Sequence, residues 1–239
     1  GGVQAKVLKG IDLTIRSQDF IAIMGPSGSG KTTLLNLLST IDKPTAGSIK
    51  IDGQDIAHLS NKELSRLRRD KIGFVPQKAL LFRGTIRENI AYGKPDATEE
   101  EILAAAKTAQ ALEFIREKPG GLDAPVAQLG QNFSGGQKQR LSIARALVRR
   151  PEVYIFDDSF SALDAKTDAA LRAALKETTG DATVLIVAQK VSTVMDADRI
   201  LVLDGGGCVG MGTHRELLQS CPVYQEIVYS QMSAEEVEA

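Results

Sequence analysis

The chain has 239 residues, of which 43% are hydrophobic and 25% are charged, so a single domain of this length can bury a full core. Its 29 basic and 30 acidic residues leave a net charge of −1, and no overall positive field favours nucleic acid or an anionic membrane as the partner. The two cysteines are too few for a disulfide framework, so we expect reduced thiols in a cytoplasmic chain. No apolar run reaches the roughly 18 residues that a membrane-spanning helix needs, so we expect the chain to be soluble.

Short apolar runs rich in β-branched residues alternate with segments of helical period. This alternation is typical of an α/β fold with a largely parallel, buried sheet. The runs are Phe20–Met24, Val153–Phe156, Thr183–Ala188 and Ile200–Leu203. Capping boxes, in which a Ser or Thr precedes a Glu by three residues, predict helices that begin after Ser60, Thr98 and Thr213.

A glycine-rich loop follows the run Phe20–Met24 directly and leads into an apolar helix over Thr33–Leu38, with the P-loop spacing G-x-x-x-x-G-K-[ST]. Its glycines let backbone N–H groups turn inward, and the helix start offers its positive end to an anion. We expect Lys31 to reach the β- and γ-phosphates of ATP and the Thr32 hydroxyl to ligate Mg²⁺. The residues predicted to hold the nucleotide are Gly25, Pro26, Ser27, Gly28, Ser29, Gly30, Lys31, Thr32 and Thr33.

The chain changes character between about residues 77 and 147. Glu99–Lys118 is rich in Ala, Leu and Glu, and Gln137–Arg150 has apolar residues at helical spacing, with no strand-like run between the two. These features predict a helical subdomain of about residues 77–147, inserted into a core of about residues 1–76 and 148–239.

A carboxylate stands at the end of the strand predicted for Val153–Phe156. Asp157 follows these four apolar residues directly. In P-loop enzymes an Asp at this place holds Mg²⁺. Because the glycine-rich loop is in the same chain, Asp157 is predicted to hold the metal together with Thr32.

A second glycine-rich segment separates this chain from other P-loop proteins. Asn132–Arg140 reads Asn-Phe-Ser-Gly-Gly-Gln-Lys-Gln-Arg, and Ser-Gly-Gly-Gln before a basic helix resembles the signature loop of ABC (ATP-binding cassette) ATPases. The resemblance extends from about Val7 to Gln231. It implies a P-loop NTPase core with a mostly parallel sheet, an N-terminal antiparallel β portion and an inserted α-helical subdomain.

The resemblance also implies a second cassette as partner. Two such domains, alike or different, sandwich two ATP molecules head to tail, and each signature loop closes over the γ-phosphate in the other domain's P-loop. The residues implied in that contact are Ser134, Gly135, Gly136 and Gln137. Gln77 matches the loop glutamine that contacts Mg²⁺ or the attacking water and senses the membrane domain, and Ser161–Asp164 matches the loop that crosses between the two sites.

The pattern from Phe74 onward is similar to that of exporters, notably in Leu81–Ile90 and Gly212–Leu218. This similarity implies a transmembrane domain as a further partner and a place at the inner face of the membrane. Before Phe74 the chain is closer to ABC ATPases of the lipoprotein-releasing and macrolide-efflux type. We therefore hypothesise a hybrid chain, natural or engineered, with its junction near Phe74–Gln77.

Two residues depart from the family pattern at the implied catalytic centre. Asp158 stands where the family usually has the Glu that acts as general base, and Gln189 stands where it has the switch histidine that contacts the γ-phosphate. The side chain of Asp158 is one methylene shorter than that of glutamate, so its carboxylate is displaced from the position of the usual base. Gln189 can hydrogen-bond a phosphate but carries no charge. The pair resembles the degenerate-site subunit of heterodimeric exporters, in which one composite site hydrolyses ATP and the other mainly holds it. No Trp, Tyr or Phe precedes Phe20, so the aromatic residue that stacks on adenine in the family either lies upstream of this sequence or is absent, with weaker adenine stacking.

We therefore expect an ATPase of low turnover that binds Mg-ATP and drives export together with a second cassette, without a nucleic acid partner. The predicted catalytic residues are Asp158, Gln189 and Gln77, and the predicted metal-holding residues are Thr32, Gln77 and Asp157. The alternative is a soluble ABC clamp that acts on DNA or ribosomes. Such a clamp would need a second cassette, a coiled-coil insertion or a basic groove, none of which the sequence contains.

Overall fold

Strands and helices alternate along the chain in a computed structural model that describes residues 6–232. The strands are β1 (Phe20–Met24), β2 (Lys50–Ile51), β3 (Gln54–Asp55), β4 (Ile72–Val75), β5 (Gly84–Thr85), β6 (Pro125–Val126), β7 (Val153–Asp157), β8 (Thr183–Val187), β9 (Arg199–Asp204) and β10 (Gly207–Gly212). The helices are α1 (Lys31–Leu38), α2 (Asn61–Lys71), α3 (Ile86–Ala91), α4 (Glu99–Thr108), α5 (Leu112–Glu117), α6 (Gly135–Leu147), α7 (Ala165–Thr178), α8 (His214–Ser220) and α9 (Pro222–Tyr229).

The described chain divides into two units. The first holds residues 6–72 and 184–232, and the second holds residues 73–183. The helical subdomain predicted for about residues 77–147 lies within the second unit, and its boundaries stay a prediction.

The sheet of the first unit has the strand order β10-β9-β1-β8. β1 is parallel to both of its neighbours, with Ile21 opposite Leu185 on one side and Arg199 on the other, whereas β10 is antiparallel to β9. Residues 21–24 of β1 are at most 1% exposed, as expected for a parallel strand that is covered on both faces. The predicted α/β fold with a mostly parallel, buried sheet is therefore confirmed.

Antiparallel pairing in the N-terminal part is limited, among the described residues, to the hairpin of β2 and β3. Lys50 pairs with Asp55 and Ile51 with Gln54. The intervening Asp52 and Gly53 both have positive φ angles, of 50° and 77°, which suits the tight turn of a two-residue hairpin. Residues 6–19 form no strand, so the predicted antiparallel portion is short.

The second unit contains the helices α3 to α7, and α6 supplies much of its core. Leu141, Ile143 and Ala144 of this helix have no exposed surface. The unit also contains the neighbouring strands β4 and β7. The rings of Tyr154 and Phe156 on β7 are parallel within 6°, with their centroids 6.1 Å apart.

The helix starts predicted from capping boxes are confirmed. Ser60, Thr98 and Thr213 each accept a hydrogen bond from the backbone of a Glu three residues later, and the Glu side chain returns a contact to the cap residue's own N–H. Two further capping boxes, not predicted from the sequence, begin α3 at Thr85 and α6 at Ser134. The box at Ser134 lies at the start of the segment that resembles a signature loop.

The described helices include none that is long and apolar enough to cross a membrane. The two cysteines are free thiols: Cys208 is exposed, and Cys221 is buried in the first unit.

Candidate functional site

The phosphate loop, defined as Gly25–Thr33, joins β1 to α1 in the first unit. Gly25 has a φ of 147°, and a Cβ atom built there would lie 2.1 Å from the carbonyl oxygen of Leu203 on β9. Gly30 has a φ of 100°, and its Cβ would lie 2.6 Å from the side chain of Leu8. Both positions require glycine, because the backbone conformation and the neighbouring atoms exclude a side chain. The loop is therefore a tightly folded backbone turn that leads directly into a helix N-terminus.

Lys31 folds back over this loop. Its Nζ donates hydrogen bonds of 2.8 Å to the carbonyl oxygens of Gly25 and Pro26 and lies 3.4 Å from the hydroxyl of Ser29. The ammonium group is thus held at the loop, next to the backbone groups that would surround an anion. This arrangement of a fixed cation, a helix N-terminus and closely wound backbone has the chemistry that a polyphosphate requires.

The other loop residues differ in exposure. Ser29 is buried, Thr33 is half-buried, and the side chains of Pro26, Ser27 and Thr32 are exposed. An exposed hydroxyl at the first turn of a helix can act as an oxygen ligand for a hard cation such as Mg²⁺. The donor set therefore fits Mg²⁺ that arrives with a nucleotide.

Gln189 also lies in the first unit, immediately after the buried Ala188 that follows β8, and its side chain is exposed. Its backbone carbonyl accepts a hydrogen bond of 2.7 Å from Nε2 of Gln231, and Oε1 of the same Gln231 accepts the N–H of Val191 at 2.9 Å. Gln231 was not predicted as a functional residue. This contact joins residues that are 42 positions apart, and no local pattern in the sequence predicts it.

Asp157 and Asp158 lie at the end of β7 in the second unit. Asp157 is half-buried, whereas Asp158 is 6% exposed and has a φ of 45°, in the left-handed region. Ser159 secures this turn, because its hydroxyl donates 2.9 Å to the carbonyl oxygen of Val75 on β4. The hydroxyl of Ser161 donates to the carbonyl oxygen of Asp158, also at 2.9 Å. Two carboxylates therefore leave the strand on a backbone that is fixed by side-chain hydrogen bonds.

Gln77 and Asp158 are brought together within the second unit. The side-chain amide of Gln77 donates a hydrogen bond of 2.8 Å to Oδ2 of Asp158. The residue before Gln77 is tied to α6, because the buried Gln139 donates 3.0 Å to the carbonyl oxygen of Pro76. The predicted loop glutamine is thus linked both to the predicted base and to the helix that follows the signature loop.

The signature loop, Ser134–Gln137, begins α6 in the second unit. The Ser134 hydroxyl accepts the backbone N–H of Gln137 at 3.2 Å, and Oε1 of Gln137 accepts the backbone N–H of Ser134 at 3.1 Å. The serine hydroxyl acts as an acceptor in this cap and keeps its own hydrogen to donate to an anion. A Cβ on Gly135 would meet open space, so its backbone is accessible.

The signature loop packs against the segment Ser161–Asp164. A Cβ on Gly136 would lie 3.2 Å from the carbonyl oxygen of Ala162, so glycine allows this close approach. Asp164 caps α7 by accepting the backbone N–H and the hydroxyl of Thr167. These hydrogen bonds lower the pKa of the Asp164 carboxyl below its ordinary value, so the cap is ionised at neutral pH. The two loops implied in contacts with a partner cassette are therefore neighbours within this unit.

The second unit also exposes an apolar patch, defined as Leu80, Phe82 and Tyr92, whose exposed fractions are 58%, 47% and 67%. The guanidinium of Arg145 lies 4.9 Å from the Phe82 ring centre and 5.9 Å from the Tyr92 ring centre, and it donates to the carbonyl oxygen of Leu80. The buried Asn89 pairs with Phe82 through both its side-chain oxygen and its amide nitrogen. The backbone of Leu80 and Phe82 is therefore hydrogen-bonded to the half-buried Arg145 and the buried Asn89, while the large apolar side chains of the patch face solvent.

The comparisons with known proteins agree on one family. A sequence model described as ABC transporter matches residues 8–161. An uncharacterized ABC transporter ATP-binding protein of Mycobacterium tuberculosis is 46% identical over 233 residues, covering 96% of this chain and 39% of the relative. A putative multidrug export ATP-binding/permease protein of Staphylococcus aureus is 42% identical over 224 residues, covering 94% of this chain and 38% of the relative.

The fold has a close counterpart among solved structures. A bacterial Atm1-family ABC exporter, solved with ATP bound, superposes with a TM-score of 0.91 at 39% sequence identity, covering 97% of this chain and 40% of the other. The P-loop NTPase fold of ABC proteins, with its mixed α/β layers and mostly parallel sheet, is therefore shown for this chain. The chain spans about two-fifths of the length of the relatives it matches.

Proposed function

The chain belongs to the ABC transporter family, as one of its ATP-binding domains, and we propose that it is the Mg-ATP-driven motor of an exporter with slow turnover at its own nucleotide site. ABC ATP-binding domains are P-loop ATPases. The observation that carries the proposal is the position of Lys31, whose ammonium is bonded to the loop carbonyls of Gly25 and Pro26 at 2.8 Å. A cation held in this way is poised to exchange carbonyl oxygens for phosphate oxygens.

In the proposed site, the backbone of the phosphate loop and Lys31 bind the phosphates, and Thr32 and Asp157 hold Mg²⁺. Bound Mg²⁺ would neutralise charge on the β- and γ-phosphates. It commonly keeps several waters and takes only one or two protein ligands beside the phosphates, so two protein oxygens suffice. Gln77 would orient the attacking water or contact the metal.

The slow turnover is attributed to Asp158 and Gln189. Asp158 would accept a proton from the attacking water, but its carboxylate is one methylene shorter than the usual glutamate and is already bonded to Gln77. Loss of a well-placed base costs on the order of 10²–10⁴ in rate. Gln189 would contact the γ-phosphate with a neutral amide in place of an imidazole. Nucleotide binding depends little on either group, so the site would mainly hold ATP.

A second cassette would pair with this domain to complete the nucleotide sites. Ser134–Gln137 would close over the γ-phosphate in the partner's phosphate loop, with the serine hydroxyl, the accessible Gly135 backbone and the start of α6 as donors. Since this signature loop matches the family pattern, the partner's site is the one proposed to hydrolyse rapidly. The head-to-tail arrangement fits the close packing of Gly136 against Ala162, because both implied partner-contacting loops belong to one surface region of the second unit.

A transmembrane domain is the proposed occupant of the apolar patch. The matched Staphylococcus aureus relative is described as an ATP-binding/permease protein, and this chain corresponds to 38% of it. The apolar patch of Leu80, Phe82 and Tyr92 gives such a partner three large apolar side chains to bury. The domain would then lie on the cytoplasmic face of the membrane. The soluble clamp is not favoured, since the matched relatives include exporters.

The hybrid origin, with a junction near Phe74–Gln77, stays a hypothesis. Exporter-type relatives match 94% and 97% of the chain, and therefore both sides of that junction. A comparison of the gene with its genomic neighbours would test the hypothesis.

The proposal is tested by titrating the chain with Mg-ATP in a calorimeter before and after Lys31→Ala. Two charge-assisted hydrogen bonds of about 1.5–3 kcal/mol each would be lost, so we expect the affinity to fall at least about 100-fold. Lys43→Ala is the matched control, because Lys43 also donates to a carbonyl oxygen of the first unit, at 2.9 Å from that of Leu59, but lies outside the phosphate loop. Undiminished binding by the Lys31 variant would refute the proposed nucleotide site.

A further inference from the structure

The side chain of Gln231 forms a two-point contact with the segment that carries Gln189. Its Nε2 donates to the carbonyl oxygen of Gln189 at 2.7 Å, and its Oε1 accepts the N–H of Val191 at 2.9 Å. One carboxamide thus satisfies a backbone acceptor and a backbone donor of the same short segment, as a neighbouring β-strand would. All three residues lie in the first unit.

The contact reaches a segment that has just left the central sheet. Ala188 and Val191 are 5% and 1% exposed, whereas the two residues between them, Gln189 and Lys190, are exposed. The chain leaves the sheet at Val187, so sheet hydrogen bonds no longer fix its backbone at Gln189. The Gln231 contact restrains the backbone of this short exposed stretch, from which the Gln189 side chain projects.

Gln231 is itself well anchored. It follows α9, and its backbone N–H bonds to the carbonyl oxygen of Val228 at 2.9 Å. Two side chains of α9, Tyr224 and Val228, have no exposed surface. The Tyr224 hydroxyl lies 2.8 Å from Nδ1 of His214 on α8. A rigid helix therefore presents the carboxamide to the segment.

We propose that Gln231 is a positioning residue for ATP hydrolysis, which holds residues 189–191 so that the Gln189 side chain is directed at the γ-phosphate. The inference rests on the proposed role of Gln189 and extends it to a residue that would not touch the nucleotide. Gln231 acts through two backbone hydrogen bonds. Its removal would leave nucleotide affinity in place and would slow the chemical step.

Two substitutions of Gln231 separate the effect of its N–H donor from the effect of its side-chain size. Gln231→Ala removes both hydrogen bonds. Gln231→Glu has nearly the same shape and can still accept the N–H of Val191, but it cannot donate to the carbonyl oxygen of Gln189 and places a negative charge beside it. Gln225→Ala is the matched control, because Gln225 on α9 also donates to a backbone carbonyl at 2.7 Å, but that carbonyl belongs to Leu218, outside the segment.

The test combines hydrogen exchange with single-turnover kinetics on the whole 239-residue chain. Exchange of the Val191 amide, followed by NMR, reports the contact itself. Cleavage of radiolabelled Mg-ATP at excess protein follows even slow hydrolysis, and a Mg-ATP titration gives the affinity. Each variant is also made in a Gln189→Ala background, since two residues that act as one unit are not additive.

We expect Gln231→Ala to speed Val191 exchange about 10-fold or more and to slow cleavage about 5-fold or more, with affinity within about 2-fold of wild type. Gln231→Glu should slow cleavage similarly, and Gln225→Ala should match wild type. In the Gln189→Ala background, Gln231→Ala should have no further effect on cleavage.

Two outcomes would overturn the inference. Unchanged Val191 exchange and cleavage in Gln231→Ala would show that the contact positions nothing. A slower cleavage that persists in full without the Gln189 side chain would show that Gln231 has only a structural role. Failure of the proposed function is distinguishable from both, because the wild-type chain would then not bind or cleave Mg-ATP, while Val191 exchange would still report whether the contact forms.

Discussion

The side-chain amide of Gln77 donates a hydrogen bond of 2.8 Å to Oδ2 of Asp158, across 81 positions of sequence. These are two of the residues proposed to act on the attacking water. Because Oδ2 of Asp158 already accepts this hydrogen bond, an attacking water would have to compete with the Gln77 amide for that oxygen. In this arrangement, one carboxylate oxygen of the proposed base, Asp158, is therefore engaged by the amide of Gln77.

Gln77→Glu tests this contact through pH. Two carboxylates within hydrogen-bond distance share a proton, which raises the pKa of the pair above the unfolded value. The folded variant would then bind more protons than the unfolded chain, so its extra stability is present at low pH and is lost as pH rises through the raised pKa. One pKa unit corresponds to about 1.4 kcal/mol, or a melting temperature lower by about 3–6 °C in a chain of this length.

The measurement is the melting temperature of wild type, Gln77→Glu and Gln77→Ala between about pH 4, near the unfolded pKa of a carboxyl group, and pH 8. We expect only the Glu variant to lose additional stability toward pH 8. Parallel curves for all three proteins would mean that the side chains of residues 77 and 158 are apart in solution.

Asn89→Ala tests the support of the apolar patch. The buried Asn89 amide bonds to the N–H and carbonyl oxygen of Phe82 and to the carbonyl oxygen of Thr85, and its oxygen also accepts from Arg145. Its removal leaves several buried polar groups unsatisfied, so we expect a loss of about 2–4 kcal/mol in the free energy of unfolding, measured in urea.

Asn132→Ala is the control for that loss. Asn132 makes the same kind of two-point contact, with the carbonyl oxygen of Pro125 and the N–H of Ala127, but it is exposed to solvent. Water can replace its bonds, so its substitution should cost only about 0.5–1.5 kcal/mol. Equal losses for the two variants would contradict the account of a buried scaffold behind the patch.

Ser134→Asp separates the two roles of the signature serine. Aspartate caps a helix about as well as serine, so the stability of α6 should change by less than about 0.5 kcal/mol. The added negative charge would repel a γ-phosphate, and ATP hydrolysis at the partner's site should fall at least about 100-fold, as when a preorganised donor is removed. Binding of Mg-ATP to this chain alone should be unaffected.

The assay uses this chain mixed with a second cassette that has the usual glutamate and histidine, with dimer formation followed by light scattering. Ser134→Ala is included, because it loses the cap and about 1 kcal/mol without adding charge. Unimpaired hydrolysis by the partner in the presence of Ser134→Asp would show that this loop does not complete the partner's site.

Local chemistry made much of the fold predictable. β1 follows directly from the apolar run Phe20–Met24, and the helices after Ser60, Thr98 and Thr213 begin where their capping boxes predict. In these cases the physical cause lies within a few residues of the structure it produces. The glycine-rich loop is similar, because its spacing reflects backbone torsions that only glycine adopts readily.

The contacts that orient the candidate catalytic groups were not predictable in this way. The hydrogen bond between Gln77 and Asp158 spans 81 positions, and the contact of Gln231 with Gln189 spans 42. A glutamine can bond to almost any polar group, so its sequence context does not select a partner. The left-handed φ of Asp158, 45°, likewise depends on the hydrogen bonds of Ser159 and Ser161 to the turn.

Asp158 and Gln189 are proposed to make this nucleotide site slow while its phosphate loop and signature loop remain competent. Asp158→Glu would restore the length of the base and Gln189→His would restore an imidazole at the γ-phosphate. The left-handed backbone at Asp158 suits aspartate better than glutamate, so the reversion should cost some stability. The two changes address one transition state and should act together.

The most direct measurement is steady-state phosphate release at saturating Mg-ATP by a self-assembled dimer of the double variant, beside wild type, each single variant and Asp158→Asn. Dimer formation is checked separately by light scattering. We predict that the double variant hydrolyses at least about 10-fold faster than wild type, which corresponds to about 1.4 kcal/mol of barrier, that neither single change suffices, and that Asp158→Asn is inactive. A double variant that dimerises but hydrolyses no faster than wild type would contradict the claim that these two residues set the rate.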